Sequence, residues 1–268
     1  MCGGAAHPLY HFQSERRKQL QTAETVRPDE TIEDLQLAGL RLIQKKNGFR
    51  FGMDSVLLAD FAEIRPTDLA ADLGTGNGII PLLLIGRGKS RHIYGVELMT
   101  ETAELARRNV CLNGLENRIS VIQSDAADAA ACIGKCTVDA VICNPPYGHP
   151  SASLASGNLQ KAAARTQEED TLHRFFSGAY DILKGKGKLS LVYPAPQMLH
   201  VMKCLQEHHL EPKRFRLVYP RADKPANLVL IEALKDAKPT LHPMPPMVIY
   251  HHNGVLTDEL KSVYHIKE

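Results

Sequence analysis

The chain has 268 residues, of which 44% are hydrophobic and 23% charged, with a formal net charge of +2. That length can bury one sizeable α/β core, and the composition excludes a disordered or fibrous chain. Near-neutrality also excludes a protein held to nucleic acid by bulk charge alone, although residues 1–150 sum to −2 and residues 151–268 to +4.

In chain order, residues 1–30 read as a poorly ordered leader: they contain no apolar h-region, so no secretory signal, and Arg16, Arg17 and Lys18 form a solvated charge cluster. No stretch approaches the roughly 20 apolar residues that span a bilayer, which favours a cytoplasmic protein. Residues 31–66 form an N-terminal extension, in which "LRLIQKKNGFRFGMDSVLLADFAE" predicts a strand, a turn at Asn47-Gly48, a second short strand and a helix. Residues 67–240 then alternate short apolar runs with longer amphipathic stretches. Seven strands are expected, over 69–73, 92–98, 119–123, 138–143, 187–193, 215–219 and 226–234. The helices between them include "GIIPLLLIGR", "MTETAELARRNVCLNG", "TLHRFFSGAYDILKGKG" and "APQMLHVMKCLQEH". This is the pattern of a mostly parallel, doubly wound α/β sheet of Rossmann-like type. "SASLASGNLQKAAART", from residue 151, is small and polar and predicts a mobile loop, and residues 241–268 form a C-terminal tail.

"DLGTGNG" joins the first of the seven strands to its helix. Gly74, Gly76 and Gly78 allow a tight turn and close approach of a ligand to main-chain N–H groups. Asp72 precedes them by two positions; a carboxylate there repels phosphate and attracts an ammonium. S-adenosylmethionine carries an amino-acid moiety and no phosphate, and therefore suits the loop better than a dinucleotide. Glu97 at the end of the second strand is placed to accept from ribose hydroxyls, and Asp125 after the third from an adenine amino group. Three carboxylates at three successive strand ends lie where open α/β sheets bind ligands.

"NPPY", residues Asn144, Pro145, Pro146 and Tyr147, ends the fourth strand on the same sheet edge. A planar amino group is a poor nucleophile because its lone pair is delocalised. Acceptors that hold both protons, the Asn144 side-chain oxygen and the Pro145 carbonyl, favour the geometry in which that lone pair faces an incoming methyl group. Tyr147 offers a ring face to a flat base, and the prolines fix the separation of acceptor and ring.

Together these residues resemble the class I S-adenosylmethionine-dependent amino methyltransferases. A narrower resemblance runs from residue 31 onward, through "GFRFGMDSVLLADFA", "DLGTGNGIIPLLL", "CNPPY", "HHLEPKRFRLVYPRADKPANLVLIEALKDAKP" and "PPMVIY". These stretches are similar to the bacterial tRNA1(Val) adenine-N6 methyltransferase family. The resemblance implies a seven-stranded fold, S-adenosylmethionine as cofactor, and a tRNA partner methylated on an adenosine next to the anticodon. Members usually carry Ala-Arg-His-Glu after the mobile loop; this chain has Ala164-Arg165-Thr166-Gln167. Arg165 and the cluster Lys213, Arg214, Arg216, Arg221 and Lys224 are the expected RNA contacts.

Alternatives are an N5-glutamine protein methyltransferase, a methyltransferase for another RNA or DNA amino group, and a non-catalytic binding module. No long helical domain precedes the glycine loop, against the first, and the complete set Asp72, Glu97, Asp125 and Asn144 stands against the last. The six cysteines show no paired CxxC spacing and the His-His pairs at 208–209 and 251–252 have no acid or cysteine at ligand spacing, so reduced, mostly buried thiols and no metal are expected. A monomer is favoured.

Overall fold

The computed structural model describes residues 26–46, 52–147 and 158–266, with side chains from residue 170 onward in the last segment. It opens with an antiparallel hairpin of β1 (Glu30–Asp34) and β2 (Arg41–Lys45), registered Glu30↔Lys45 through Asp34↔Arg41. Arg41–Lys45 thus pairs with the segment before it. The expected Asn47-Gly48 turn lies outside the described residues.

Helix α1 (Met53–Phe61) leads into the main unit. There β3 (Leu69–Leu73), α2 (Ile79–Gly86), β4 (His92–Glu97), α3 (Thr100–Leu112), β5 (Ile119–Gln123), α4 (Ala129–Ile133) and β6 (Val138–Cys143) follow in turn. Next come α5 (Asn158–Ile182), β7 (Leu183–Pro194), α6 (Met198–Glu207), β8 (Leu210–Arg221) and β9 (Leu228–Lys235), then β10 (His242–Pro243), β11 (Met247–Tyr250) and α7 (Asp258–Val263).

The sheet runs β10-β8-β9-β7-β6-β3-β4-β5, with β11 also on β8, so two short strands from the tail extend the seven expected ones to nine. β3 to β7 are parallel and β9 is antiparallel to both β7 and β8. The strand order reverses between β3 and β6, the position at which such sheets open a crevice.

Period-two alternation divides the core. Ala70, Ala140 and Leu230 face a layer built with Leu57, Leu82 and Leu260 of α1, α2 and α7. Their neighbours Ala71, Val141 and Ile231 face Phe176, Ala179, Val201 and Leu205 of α5 and α6. Strands buried on both sides need apolar residues at consecutive positions, which "AVIC" of β6 supplies.

Two expectations are corrected. Residues 158–166 begin α5 instead of continuing a loop; "NLQKAAARTQEE" is rich in strong helix formers. The thiols are also less buried than expected: Cys111, Cys132 and Cys136 are exposed, and only Cys143 and Cys204 of the described cysteines are buried. Each exposed one sits on an outer helix or in a turn, where no second layer covers it.

Helix α5 comes unusually close to the segment after β5. A Cβ on Gly178 would lie 1.8 Å from the carbonyl oxygen of Ala126. Glycine is therefore required there to seat the helix. At the helix end, Lys235 donates to the carbonyls of Tyr180 and Leu183 at 2.6 and 2.8 Å. The cation satisfies orphan carbonyls at the negative pole of the helix.

Candidate active site

Because β3 to β6 run parallel, the loops after them converge on one sheet edge. They line a cavity of about 650 Å³, closed from the α5 side by Thr171, Arg174 and Phe175. The glycine loop holds Gly74, Gly76 and Gly78 at φ of 72°, 59° and 85°, a region that residues with a Cβ avoid. The N–H groups of Gly74 and Thr75 both bond the Val96 carbonyl, at 2.8 and 2.9 Å, tying the loop to β4. A Cβ on Gly74 would meet the Phe175 ring at 2.9 Å.

Glu97 lies at the cavity wall, with its carboxylate splinted by the N–H groups of Gly76 and Met99, each at 2.9 Å. Carboxylate oxygens have two lone pairs each, so both keep capacity for a ligand diol. Asp125 also lines the cavity. One oxygen accepts from the Ala127 N–H at 2.9 Å and the other from Arg174 at 2.6 Å. Burial alone would raise its carboxyl, but the Arg174 guanidinium and the Ala127 N–H hold it below the usual carboxylate range.

Asp72 stands differently from its expected place on the cavity wall. It is 0% exposed, beneath the loop, and neither carboxylate oxygen has a hydrogen-bond partner among the described residues. Burial pushes the carboxyl up to about 7; the adjacent Thr75 hydroxyl opposes the rise, without a hydrogen bond of normal geometry, and the Glu97 charge adds to it.

On the other side of the switch point, β6 delivers Asn144 to Tyr147 to the cavity. The Asn144 Oδ1 is buried and has no partner among the described residues. Tyr147 packs edge-on against the buried Tyr193, ring centroids 5.6 Å apart, and its hydroxyl donates to the Asp54 carboxylate on α1. Burial, followed by that bond, pushes the Tyr147 hydroxyl well above its ordinary pKa. Asp54, Arg174 and Phe175 thus belong to the site although sequence reasoning passed over them. Only the contact of "GMDS" with "NPPY" across the fold identifies Asp54.

The basic cluster is divided. Arg214 bonds Glu232 at 3.0 Å through two nitrogens, pairs with Glu63 at 3.1 Å and covers the Phe61 ring at 4.5 Å. Arg216 pairs with Glu259 and donates to the Pro245 carbonyl at 2.9 Å, and Lys213 donates to the Lys238 carbonyl and the Thr240 hydroxyl. These three residues tie the sheet edge to the tail through bonds within the chain. Arg221 ends β8 on the same edge of the sheet as the cavity and Lys224 follows it; Lys224 is exposed, and Arg221 pairs with Asp223 at 3.2 Å. The side chain of Arg165 lies outside the described residues. Arg214→Ala is expected to destabilise the fold by about 2–3 kcal/mol, because it strands the buried Glu232 with Lys188, 3.6 Å away, as its remaining cation. Urea unfolding monitored by circular dichroism measures the loss.

Residues 51–211 match the family described as "Methyltransferase small domain". A tRNA1(Val) (adenine(37)-N6)-methyltransferase of Porphyromonas gingivalis (strain ATCC 33277) is 28% identical over 68% of this chain and 73% of its own length. The protein of that name from Aliivibrio salmonicida is 23% identical over 81% and 90%. The crystal structure of a predicted O-methyltransferase, Atu636 of Agrobacterium tumefaciens, superposes with a TM-score of 0.64 at 22% identity, covering 80% of this chain and 96% of that one. TYW2 of Pyrococcus horikoshii, solved with MeSAdo, gives 0.53 at 17% identity, covering 79% and 73%. At these identities the two structures bear on the fold alone. The family match spans more than half of the chain, with the parallel strands β3 to β7, the glycine loop and the Asn144–Tyr147 corner all inside it, and the chain belongs to the methyltransferase small domain family.

Proposed function

We propose that this protein transfers a methyl group from S-adenosylmethionine to N6 of an adenine in tRNA, in the anticodon loop next to the anticodon. The names of the P. gingivalis and A. salmonicida relatives specify adenine 37. The observation that carries the reading is the Asn144 Oδ1, a buried and unpartnered acceptor on the wall of a cavity that Tyr147 also lines. A buried polar atom without a partner costs free energy, so its retention calls for a ligand that satisfies it.

The opposite wall suits the donor. Asp72 keeps two unsatisfied carboxylate oxygens under the glycine loop, and Glu97 presents a splinted carboxylate. This set attracts an ammonium and hydroxyl groups and offers nothing to a pyrophosphate. When bound there, S-adenosylmethionine supplies a methyl group on a positively charged sulfur.

Asn144 accepts a hydrogen bond from one N–H of the adenine amino group and the Pro145 carbonyl from the other, which localises the nitrogen lone pair; after transfer one of these protons passes to solvent. No residue needs a pKa near neutrality for this, since a neutral amide positions charge without acting as a base. Tyr147 stacks on the base, and Asp54 holds the ring by its hydroxyl. To reach this corner the base must leave the anticodon-loop stack.

The test is nucleoside mass spectrometry of tRNA from a deletion strain, together with methylation of valine tRNA by the purified protein. Loss of N6-methyladenosine, restored by the parent gene and not by Asn144→Ala, is expected. Methylation of a protein glutamine instead would replace this reading.

Of the basic residues expected to contact RNA, Arg221 and Lys224 stand at the cavity edge of the sheet and are the first candidates for phosphate contact, in the cytoplasm where tRNA is modified. Their double alanine variant should flatten the salt dependence of tRNA binding by about two units. Filter binding from low to high salt measures it, and an unchanged slope would remove both residues from the interface.

A further inference from the structure

Away from the active site, helices α5 and α6 bring three side chains together. His173 on α5 places its Nδ1 2.8 Å from the Nε2 of His208 and 3.7 Å from the Sγ of Cys204. Cys204 and His208 are four residues apart at the C-terminal end of α6 and therefore share one face. The three donor atoms all lie within 4.8 Å of one another. Cys204 is buried, His208 half-buried and His173 exposed, so the cluster is supported from below and open to solvent above.

We propose that His173, Cys204 and His208 form a binding site for a borderline transition-metal cation of the zinc class, with solvent in the fourth position. Imidazole nitrogen and thiolate sulfur are the ligands such cations prefer over carboxylates. Tetrahedral coordination at ordinary Zn–N and Zn–S lengths separates two nitrogens by about 3.3 Å and a nitrogen from a sulfur by about 3.6 Å. The 3.7 Å between His173 Nδ1 and Cys204 Sγ already meets the second value. The 2.8 Å between the imidazoles must open by about half an ångström, and the exposed His173 can turn outward to do so. Binding requires both facing nitrogens to present lone pairs, so each ring carries its proton on the other nitrogen. The Cys204 thiol loses its proton to solvent as the metal–sulfur bond forms.

The consequence is a clamp between α5 and α6. His173 precedes Arg174, which bonds Asp125, and Phe175, which abuts Gly74, so the clamp would stiffen the helix that closes the active-site cavity. The inference does not depend on the methylation proposed above.

The experiment titrates the metal-stripped full chain with Co²⁺. One equivalent should bind with thiolate-to-cobalt charge-transfer absorption and the visible bands of a low-coordinate site, and Zn²⁺ should displace it and raise the melting temperature. His173→Ala leaves the core untouched and should weaken Co²⁺ binding by more than the roughly 10–100-fold that losing even an outer-shell partner costs. Cys204→Ala should abolish the charge-transfer band. Circular dichroism on both variants checks that they fold, and His173→Ala alone decides if Cys204→Ala does not. Absence of a charge-transfer band in the parent chain, or a band in His173→Ala that titrates with the parent's affinity, would overturn the proposal and place any bound metal on other histidines or cysteines.

Discussion

Asn144→Ala is expected to lower single-turnover methylation by roughly 10²–10³, the scale on which one preorganised polar group at a transition-state site acts, while leaving the affinity for S-adenosylmethionine nearly unchanged. Its oxygen is fixed in place. Cys143, the preceding residue, is fully buried and pairs with Leu73 of β3 and Leu191 of β7, and Pro145 after it is buried. Glu97 and Asp125, the donor-side acids of the wall, hang on β4 and β5 and do not bond Asn144. Substitution also removes an unsatisfied buried acceptor, so the ligand-free variant should be no less stable than the parent, and more stable by up to about 1–3 kcal/mol. Activity and stability then move in opposite directions, which a merely structural asparagine would not produce. Tyr147→Ala should lose tRNA affinity as well as rate, because stacking holds the base before and during transfer. Tyr147→Phe keeps the ring and gives up only the bond to Asp54. A several-fold loss is expected there. Full methylation by Asn144→Ala would show that other groups position the amine.

The parts of this site that are local in sequence were legible. Glycine at 74, 76 and 78, the acids at successive strand ends and the rigid "NPPY" corner each state their geometry within a few residues, and the apolar period of the strands puts them on one edge. What depends on long-range contact was not. Asp54 is 93 residues from Tyr147, and Arg174 is 49 from Asp125. No spacing rule links them. Cys204 and His208 stand four residues apart, a spacing legible in sequence, but two donors make no site, and His173, the third, lies 31 residues from Cys204 and joins them only through helix packing. Charge is legible only as a cluster: that Arg214 and Arg216 are paired with Glu232, Glu63 and Glu259, far apart in sequence, is a property of the packing. The pairing of β2 with β1 is likewise set by the fold, since no turn signal as strong as Asn47-Gly48 marks the segment between them.

Asp72 should make donor binding depend on pH in a way that Asp72→Asn abolishes. Its carboxyl is pushed up to about 7, so in the ligand-free protein the native state binds this proton more tightly than the unfolded chain does. The associated stability is fully present below about pH 4 and is lost as pH rises to about 7, a difference on the order of 4 kcal/mol. Asp72→Asn removes the titration. The variant's stability advantage should therefore be near zero below pH 4, grow between pH 4 and 7, and level off above. Donor binding has the opposite requirement, since an ammonium brought near the glycine loop is stabilised only by the ionised carboxylate. Below pH 7 each binding event must expel the Asp72 proton, and affinity should fall by up to about tenfold per pH unit. It should level off just above pH 7 and fall again as the donor's own amino group loses its proton at about pH 8. Titration calorimetry at pH 6 in two buffers of different ionisation enthalpy should detect close to one proton released by the parent and none by Asp72→Asn, which should also bind the donor more weakly at pH 8. If parent and variant release the same number of protons and share one pH profile, the carboxylate does not meet the ammonium, and Asp72 acts only as a support beneath the loop.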